Sequence, residues 1–414
     1  MTPPIPRPPS EGSSTAAARG RSGNGGQDLE SALRPAWVDV DLDALERNLA
    51  RIRARTPGTR LLAVVKADAY GHGAVGVSRA LEAAAVDWLG VALLEEGAEL
   101  RRAGIGLPIL VLGTARPAKI ALYRRYRLTP TVSSLAELAL WRDWTLGAAE
   151  PQAIHLKVDT GMGRLGLAPE EVPAALDLLR AHPSLRLTGL LSHFAEADDL
   201  ESPRNAAQEE RFRHLLALLT EEERRGLEVH MANSAAALHR PASRFTLARL
   251  GIGLYGLDPV ARDPELEPVM AVSARIVQLR EVAAGTPLSY GGRTVTNRRS
   301  RIAVVPVGYA DGYSWRLTGR GQVLVRGRRV PVAGSVTMDM TLLDVTDADG
   351  EVAAGEEVTL LGRQGEEEIT AAELARLAGT IPWEILCHLG LRLPRRYWRA
   401  GRVEELVSRF SRED

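Results

Sequence analysis

The chain has 414 residues, 45% hydrophobic and 25% charged, with Lys+Arg and Asp+Glu both at 52 and a formal net charge of zero. That length suits two domains with a sizeable core, and the charge balance gives no bulk attraction to nucleic acid or to an anionic membrane surface. Cys387 is the single cysteine, which excludes an intrachain disulfide and points to the cytosol, and no segment approaches the roughly 18 apolar residues of a spanning helix.

Residues 1–33 are rich in Pro, Gly, Ser and Arg and lack the apolar core of a signal peptide, so a disordered N-terminal extension is expected there. From Ala36 to about Pro259, apolar strand-like runs recur at Leu61–Val65, Trp88–Leu94, Pro108–Gly113, Thr129–Ser133, Ile154–Asp159, Leu187–His193, Glu228–Asn233 and Leu247–Leu254. Helical patterns separate most of them, for example Glu99–Arg102, Ser134–Trp144, Pro169–Ala181 and Asn205–Arg225. Ser134 followed by Glu137 predicts a capping box. Repeated strand–helix units over about 220 residues predict an α/β fold, a (β/α)8 barrel spanning residues 34–262.

From residue 263 the character changes. Ala271–Val277, Arg301–Val307, Gln322–Val325, Val330–Val332, Met340–Val345 and Glu357–Leu361 are short alternating runs parted by turns such as Asp349-Gly350. They predict a mainly β domain over 263–405 with one helix at Thr370–Ala378, then a tail at 406–414.

The carboxyl ends of all eight barrel strands open on one face, so residues at those ends share a site however far apart they lie in sequence. Lys66 follows the apolar run Leu61–Val65, with Tyr70 just beyond. The fifth run leads into Lys157, Asp159 and Arg164, the sixth into Ser192 and His193, and the seventh into Asn233 and Ser234. The eighth carries Arg249 and then Gly251, Ile252 and Gly253. Taken singly, Lys66 also suits a snorkelling surface lysine, Gly251–Gly253 a tight turn, and His193 a satisfied barrel histidine. Taken together, a serine at a helix start beside bare glycine backbone, after strands seven and eight, is where barrels often bind phosphate. A phosphate site facing a strand-end lysine fits a phosphorylated aldehyde held as a Schiff base, and pyridoxal phosphate is the common one. Burial near Arg164 and Arg249 would supply the neutral amine such chemistry needs.

The stretch Val64-Val-Lys-Ala-Asp-Ala-Tyr-Gly-His-Gly73 resembles the cofactor-lysine motif of the bacterial alanine racemases. The similarity continues through HLKVDTGMGRLG (155–166), SHFAEAD (192–198), ANSAA (232–236), RLGIGLYG (249–256), LSYGG (288–292), VGYADGY (307–313) and GSVTMDM (334–340). It runs from about Trp37 to Tyr397, and eight motifs in the right order make it specific.

The resemblance implies a fold-type III pyridoxal 5'-phosphate enzyme, a barrel followed by a β-domain, working as a head-to-tail homodimer with active sites shared between chains. It implies interconversion of L- and D-alanine in the cytoplasm, supplying D-alanine for peptidoglycan, with no nucleic-acid or membrane partner. Lys66 would be the Schiff-base lysine and the base on one face of the substrate Cα, and Tyr290 the base on the other face, reaching across the dimer. Racemisation needs an acid and a base flanking a planar carbanion, which accounts for the pair. His193 would sit against the tyrosine with Arg249 behind it. Arg249 would face the pyridine nitrogen; a guanidinium only donates, so that nitrogen stays unprotonated and rapid reprotonation is favoured over transamination. The decarboxylases of the same fold carry an acidic residue there. Arg164 would bond the cofactor phenolate oxygen and help bind substrate, and Lys157 matches a lysine that many members carry as a carbamate, an ordinary lysine being the alternative. Tyr70, Asn233, Ser234, Gly251 and Ile252 would hold the phosphate. Met338 and Asp339 would meet the substrate, and Tyr309 and Asp198 would line the entrance. Asp339 has no His or Glu at ligand spacing, so no metal is expected.

One position departs from the pattern. The family usually reads Tyr-Glu where this chain has Trp383-Glu384. An indole donates one hydrogen bond and is bulkier than a phenol, which puts the phosphate contact here in doubt. Two rival functions remain: a serine or broad-spectrum racemase, and a non-catalytic pyridoxal phosphate carrier. Carriers lack the β-domain and the second base, both of which this sequence has.

Overall fold

The computed structural model describes residues 34–115, 119–147 and 150–410. The extension expected at 1–33 and the end of the tail at 411–414 lie outside the described residues. Strand β1 (Ala36–Asp41) is followed by β2 (Arg60–Val64), β3 (Trp88–Val91), β4 (Ile109–Val111), β5 (Thr129–Val132), β6 (Gln152–Lys157), β7 (Leu185–Leu191), β8 (Glu228–His230) and β9 (Leu247–Leu250). Each strand from β2 to β7 pairs in parallel with the next, and β2 also pairs with β9. Backbone bonds from Thr246 N to Val229 O (3.1 Å) and from Arg249 N to Ala232 O (2.9 Å) close the ring. The result is the expected eight-stranded parallel barrel. Leu61, Leu62 and Ala63 are wholly buried, as strands covered on both faces must be.

The helices between the strands follow their caps. The pattern at 205–225 divides into Pro203–Leu216 and a short helix Glu221–Arg224, where Thr220 accepts from Glu223 N. Ser134 Oγ accepts from Glu137 N at 3.1 Å, but the glutamate does not close the expected capping box. Its carboxylate instead takes the N–H groups of Ala115 (2.8 Å) and Ser133 (2.9 Å), so it pins two loops at the carboxyl face of the barrel.

The β-rich part holds an eight-stranded sheet, a three-stranded sheet (Gln278–Val282, Ser300–Val305, Thr341–Asp344) and a short hairpin. One segment changes sides relative to the sequence reading: β1, taken with the barrel, lies in the large second sheet. It runs antiparallel to β10 (Met270–Arg275) and parallel to Arg395–Arg399. Asp39 anchors this join, accepting from Trp37 Nε1 (2.8 Å), Arg396 Nε (2.7 Å) and Trp398 Nε1 (2.6 Å). Charge-assisted bonds of that kind are about twice as strong as neutral ones. The expected helix appears at Ala371–Ala378, and a second, unexpected one follows at Pro382–His388. One contiguous apolar core runs through both parts, with a small satellite around Leu288, Ile302 and Ala333.

Candidate active site

Lys66 directly follows Val65 at the end of β2, and the chain then makes a turn of unusual hand. Ala67, Asp68, Ala69 and Tyr70 have φ of 53°, 54°, 53° and 55°, a left-handed turn without glycine. Such a conformation costs about 1–2 kcal/mol per residue, so neighbours must over-determine it. They do so from both domains. Glu96 Oε1 accepts from Ala67 N (2.8 Å), Asp68 Oδ1 from Ala74 N (2.7 Å), and the His72 ring bonds Ala69 O (2.9 Å). From the β-domain, Arg395 Nη2 donates to Gly71 O (3.0 Å) and Tyr397 Oη to His72 O (3.2 Å). The backbone around the lysine is fixed on all sides.

A cavity of about 510 Å³ opens at this end of the barrel. Lys66, Tyr70, Lys157, Arg164, His193, Asn233, Ser234, Arg249, Gly251, Ile252 and Trp383 all line it. Ten of these are the residues expected at the strand ends, and Trp383 joins them from the helix Pro382–His388 of the β-domain. Burial first, and Arg164 second, hold the Lys66 ammonium below the usual lysine value. Lys157 is lowered to about 8, by burial and then by Arg249 and Arg164. None of Lys66, Lys157, Arg164 and Arg249 makes an ion pair with a carboxylate among the described residues.

The loop that brings Arg164 in is held by Asp159. Its carboxylate accepts four backbone N–H groups, from Gly161 (2.8 Å), Met162 (2.8 Å), Gly163 (2.7 Å) and Arg164 (3.2 Å). Across the cavity, Ser234 Oγ accepts from Gly251 N (2.9 Å) and Gly253 N (3.2 Å), which leaves its own hydrogen free to donate. A side chain at 251 would meet Tyr70 Oη at 2.5 Å, so glycine is what lets the tyrosine reach this corner.

Arg249 is wholly enclosed, and burial lowers it to about 10. It has only neutral acceptors: the carbonyls of Ser192 (2.7 Å), His230 (3.0 Å) and Met231 (3.0 Å), and the Nδ1 atoms of His193 (2.9 Å) and His230 (2.9 Å). His230 Nε2 in turn meets His155 Nδ1 at 3.0 Å. Burial, then the Arg249 charge, keeps His193 far below the usual histidine value. His155 and His230 were not singled out in the sequence, and Asp159 was named at its strand end without a role. The available signal was the period of two on β6, which puts His155 on the same barrel-facing side as Lys157.

The remaining expected residues lie elsewhere. Tyr290 is 78% exposed, in the loop of the hairpin Pro287–Leu288 and Thr294–Val295. Ser289 Oγ donates to Ser335 O (2.8 Å) and Ser335 Oγ to Tyr290 O (3.1 Å), so this loop is tied to the 334–340 segment. That segment carries Met338, 53% exposed, and Asp339, which pairs with Arg392 at 2.7 Å. Tyr309 is 44% exposed and Asp198 is also on the surface. None of these five lines the cavity of their own chain.

Residues 40–259 match the model for the alanine racemase N-terminal domain, and residues 269–397 that for its C-terminal domain. The chain belongs to the alanine racemase family. It is thereby an enzyme of the isomerase class. An alanine racemase from Syntrophobacter fumaroxidans is 44% identical over 361 residues, covering 86% of this chain and 95% of that one. The alanine racemase of Bacillus anthracis, solved with bound L-Ala-P, superposes with a TM-score of 0.84 at 37% identity, over 91% of this chain and 98% of that chain. The Bartonella henselae alanine racemase, solved with covalently bound pyridoxal phosphate, gives 0.81 at 30% identity, over 88% and 99%. Both the barrel and the β-domain fall within these matches.

Proposed function

We propose that this alanine racemase family member interconverts L- and D-alanine with pyridoxal 5'-phosphate held at Lys66, using Lys66 and Tyr290 as the two bases. The observation that carries the reading is the charge of the cavity. Four basic side chains face it with no carboxylate ion pair among the described residues, beside a serine hydroxyl free to donate, and the proton affinity of Lys66 is reduced. That donor set fits a ligand with a phosphate, a phenolate oxygen and an aldehyde. Pyridoxal phosphate, when bound, supplies an electron sink that acidifies the substrate Cα–H.

The residues divide the work by what they can do. Lys66 holds the cofactor and moves a proton on one face of the substrate. Tyr70, Asn233, Ser234, Gly251 and Ile252 surround the phosphate end, with Trp383 beside them. Arg164 binds the phenolate side and the substrate carboxylate, with Lys157 behind it. Arg249 can only donate, so a ring nitrogen opposite it stays unprotonated. Tyr290, backed by His193, moves the proton on the second face, while Met338, Asp339, Tyr309 and Asp198 serve substrate binding and entrance. Because the β-domain residues Tyr290, Met338, Asp339 and Tyr309 are exposed and off the cavity, we place them in a partner's site, within a head-to-tail homodimer. Among the described residues no helix is long and apolar enough to cross a membrane; we place the enzyme in the cytoplasm, feeding D-alanine to peptidoglycan synthesis.

The test is conversion of L-alanine to D-alanine by purified protein with pyridoxal phosphate, beside Lys66→Ala. Turnover by the wild type and none by the variant is expected. Bound cofactor without alanine turnover would redirect the search to other amino acids, serine first, and no bound cofactor would refute the reading.

A further inference from the structure

We infer that His155 is a positioning residue for Arg249, acting through His230 by accepting that ring's Nε2–H and so holding its orientation. Only the kinetic consequence rests on the function proposed above; the hydrogen positions rest on geometry.

The argument starts from the guanidinium, which has hydrogens to give and no lone pair to receive one. Nη1 of Arg249 lies 2.9 Å from His230 Nδ1, so that nitrogen is an acceptor and bears no hydrogen. A neutral imidazole then carries its hydrogen on Nε2. Nε2 of His230 lies 3.0 Å from His155 Nδ1, which must therefore be an acceptor too, leaving the His155 hydrogen on its own Nε2. The same reasoning at Nη2 makes His193 Nδ1 an acceptor, at 2.9 Å. One cation thus dictates the hydrogen positions of three rings in a chain. His230 and His155 are both fully buried, and burial holds both well below the usual histidine value, with His155 lowered to about 3.

His155 is the end of that chain, and its place is built. A side chain at position 189 on β7 would meet the His155 ring at 2.5 Å, so Gly189 clears the space. The Trp88 ring, 5.3 Å away between centroids, flanks it. His155 Nδ1 is the acceptor the structure gives to His230 Nε2–H. Without it, the buried N–H of His230 loses its partner, at a cost of about 1–3 kcal/mol. Arg249 still requires Nδ1 as an acceptor, so the hydrogen stays on Nε2 and the ring is left to tilt in search of a partner. Arg249 would lose the direction in which it is held.

The experiment uses full-length protein with 15N-labelled histidine and bound pyridoxal phosphate. In the wild type, His230 should show a protonated Nε2 and an acceptor Nδ1. In His155→Leu the hydrogen should stay on Nε2 but lose its hydrogen-bonded 15N and 1H shifts, and kcat should fall about tenfold, the scale of one lost buried hydrogen bond. His155→Asn, whose carboxamide oxygen can stand where Nδ1 stood, should restore the hydrogen-bonded Nε2–H signal of His230 and bring kcat back to within about threefold of wild type. A wild-type His230 with its hydrogen on Nδ1 would overturn the inference, as would a leucine variant with unchanged Nε2–H signal and rate. If the leucine variant does not fold, the wild-type hydrogen position and the asparagine variant decide. Failure of the functional proposal looks different: the wild type would not turn over alanine at all, whatever the hydrogen position on His230.

Discussion

Arg249 and Tyr290 belong to one proposed constellation but stand in opposite surroundings. Arg249 is buried, with five neutral acceptors within 3.0 Å. Tyr290 is 78% exposed, and its loop is tied through backbone and serine contacts to the 334–340 segment. The barrel's part of the proposed site is therefore assembled within one chain, whereas Tyr290, Met338 and Tyr309 of the β-domain stand exposed, away from that chain's cavity. Large polar-tipped apolar side chains held out in this way, Tyr290, Met338 and Tyr309 among them, suit a surface completed by another copy. The two regions differ in what a mutation should do: the first should act on cofactor and rate together, the second on rate alone.

The largest expected effect separates them at once. Lys66→Ala should abolish the cofactor's protein-bound absorbance and reduce racemisation by more than about a thousandfold, read by spectrum and by D-alanine formation. Tyr290→Phe should cost roughly a hundredfold to ten-thousandfold in kcat, the worth of a general acid–base group, yet leave the bound-cofactor spectrum and affinity as in wild type. A tyrosine variant that also lost cofactor would erase the contrast.

Trp383 sharpens the comparison from within the cavity. Trp383→Tyr adds a hydroxyl facing the phosphate end, so cofactor affinity should rise about three- to tenfold in a fluorescence titration. Equal affinity would mean that the indole costs nothing there.

The smallest effect concerns stability. Lys157 carries a folded value of about 8 against 10.5 for a free lysine side chain. Between those limits the unfolded chain holds more protons, so stability contributed at this site rises with pH and the penalty is full below pH 8. Lys157→Met apoprotein should be more stable than wild type near neutrality. Chemical denaturation should show the difference shrinking as pH climbs from 8 towards 10.5. A wild type already more stable than the variant at neutrality would contradict this and point to an anionic form of Lys157, such as a carbamate, beside Arg164 and Arg249.

Much of the site was readable because the strand-end rule works without contacts: once eight strands close, Lys66, Lys157, His193, Ser234 and Arg249 must share a face. The left-handed turn at 67–70 was not readable, since no glycine marks it and its support comes from Glu96, Arg395 and Tyr397. His155 and His230 were passed over because a lone histidine inside an apolar strand looks like core; only the guanidinium at the other side of His230 gives the pair a task. β1 was misplaced because its partners lie more than 200 residues downstream, where a hydrophobic pattern cannot say which sheet a strand joins. The helix at 382–388 had a signal, Pro382 at its first position, that a short and mixed pattern concealed.

The most direct test of the shared site is activity in mixed dimers. Lys66→Ala and Tyr290→Phe, each inactive alone, would be co-expressed in equal amounts and assayed for D-alanine formation. If lysine and tyrosine come from different chains, each heterodimer regains one intact site, and activity returns to about a quarter of wild type. Activity no higher than that of the two variants assayed apart would contradict the account and return both bases to a single chain.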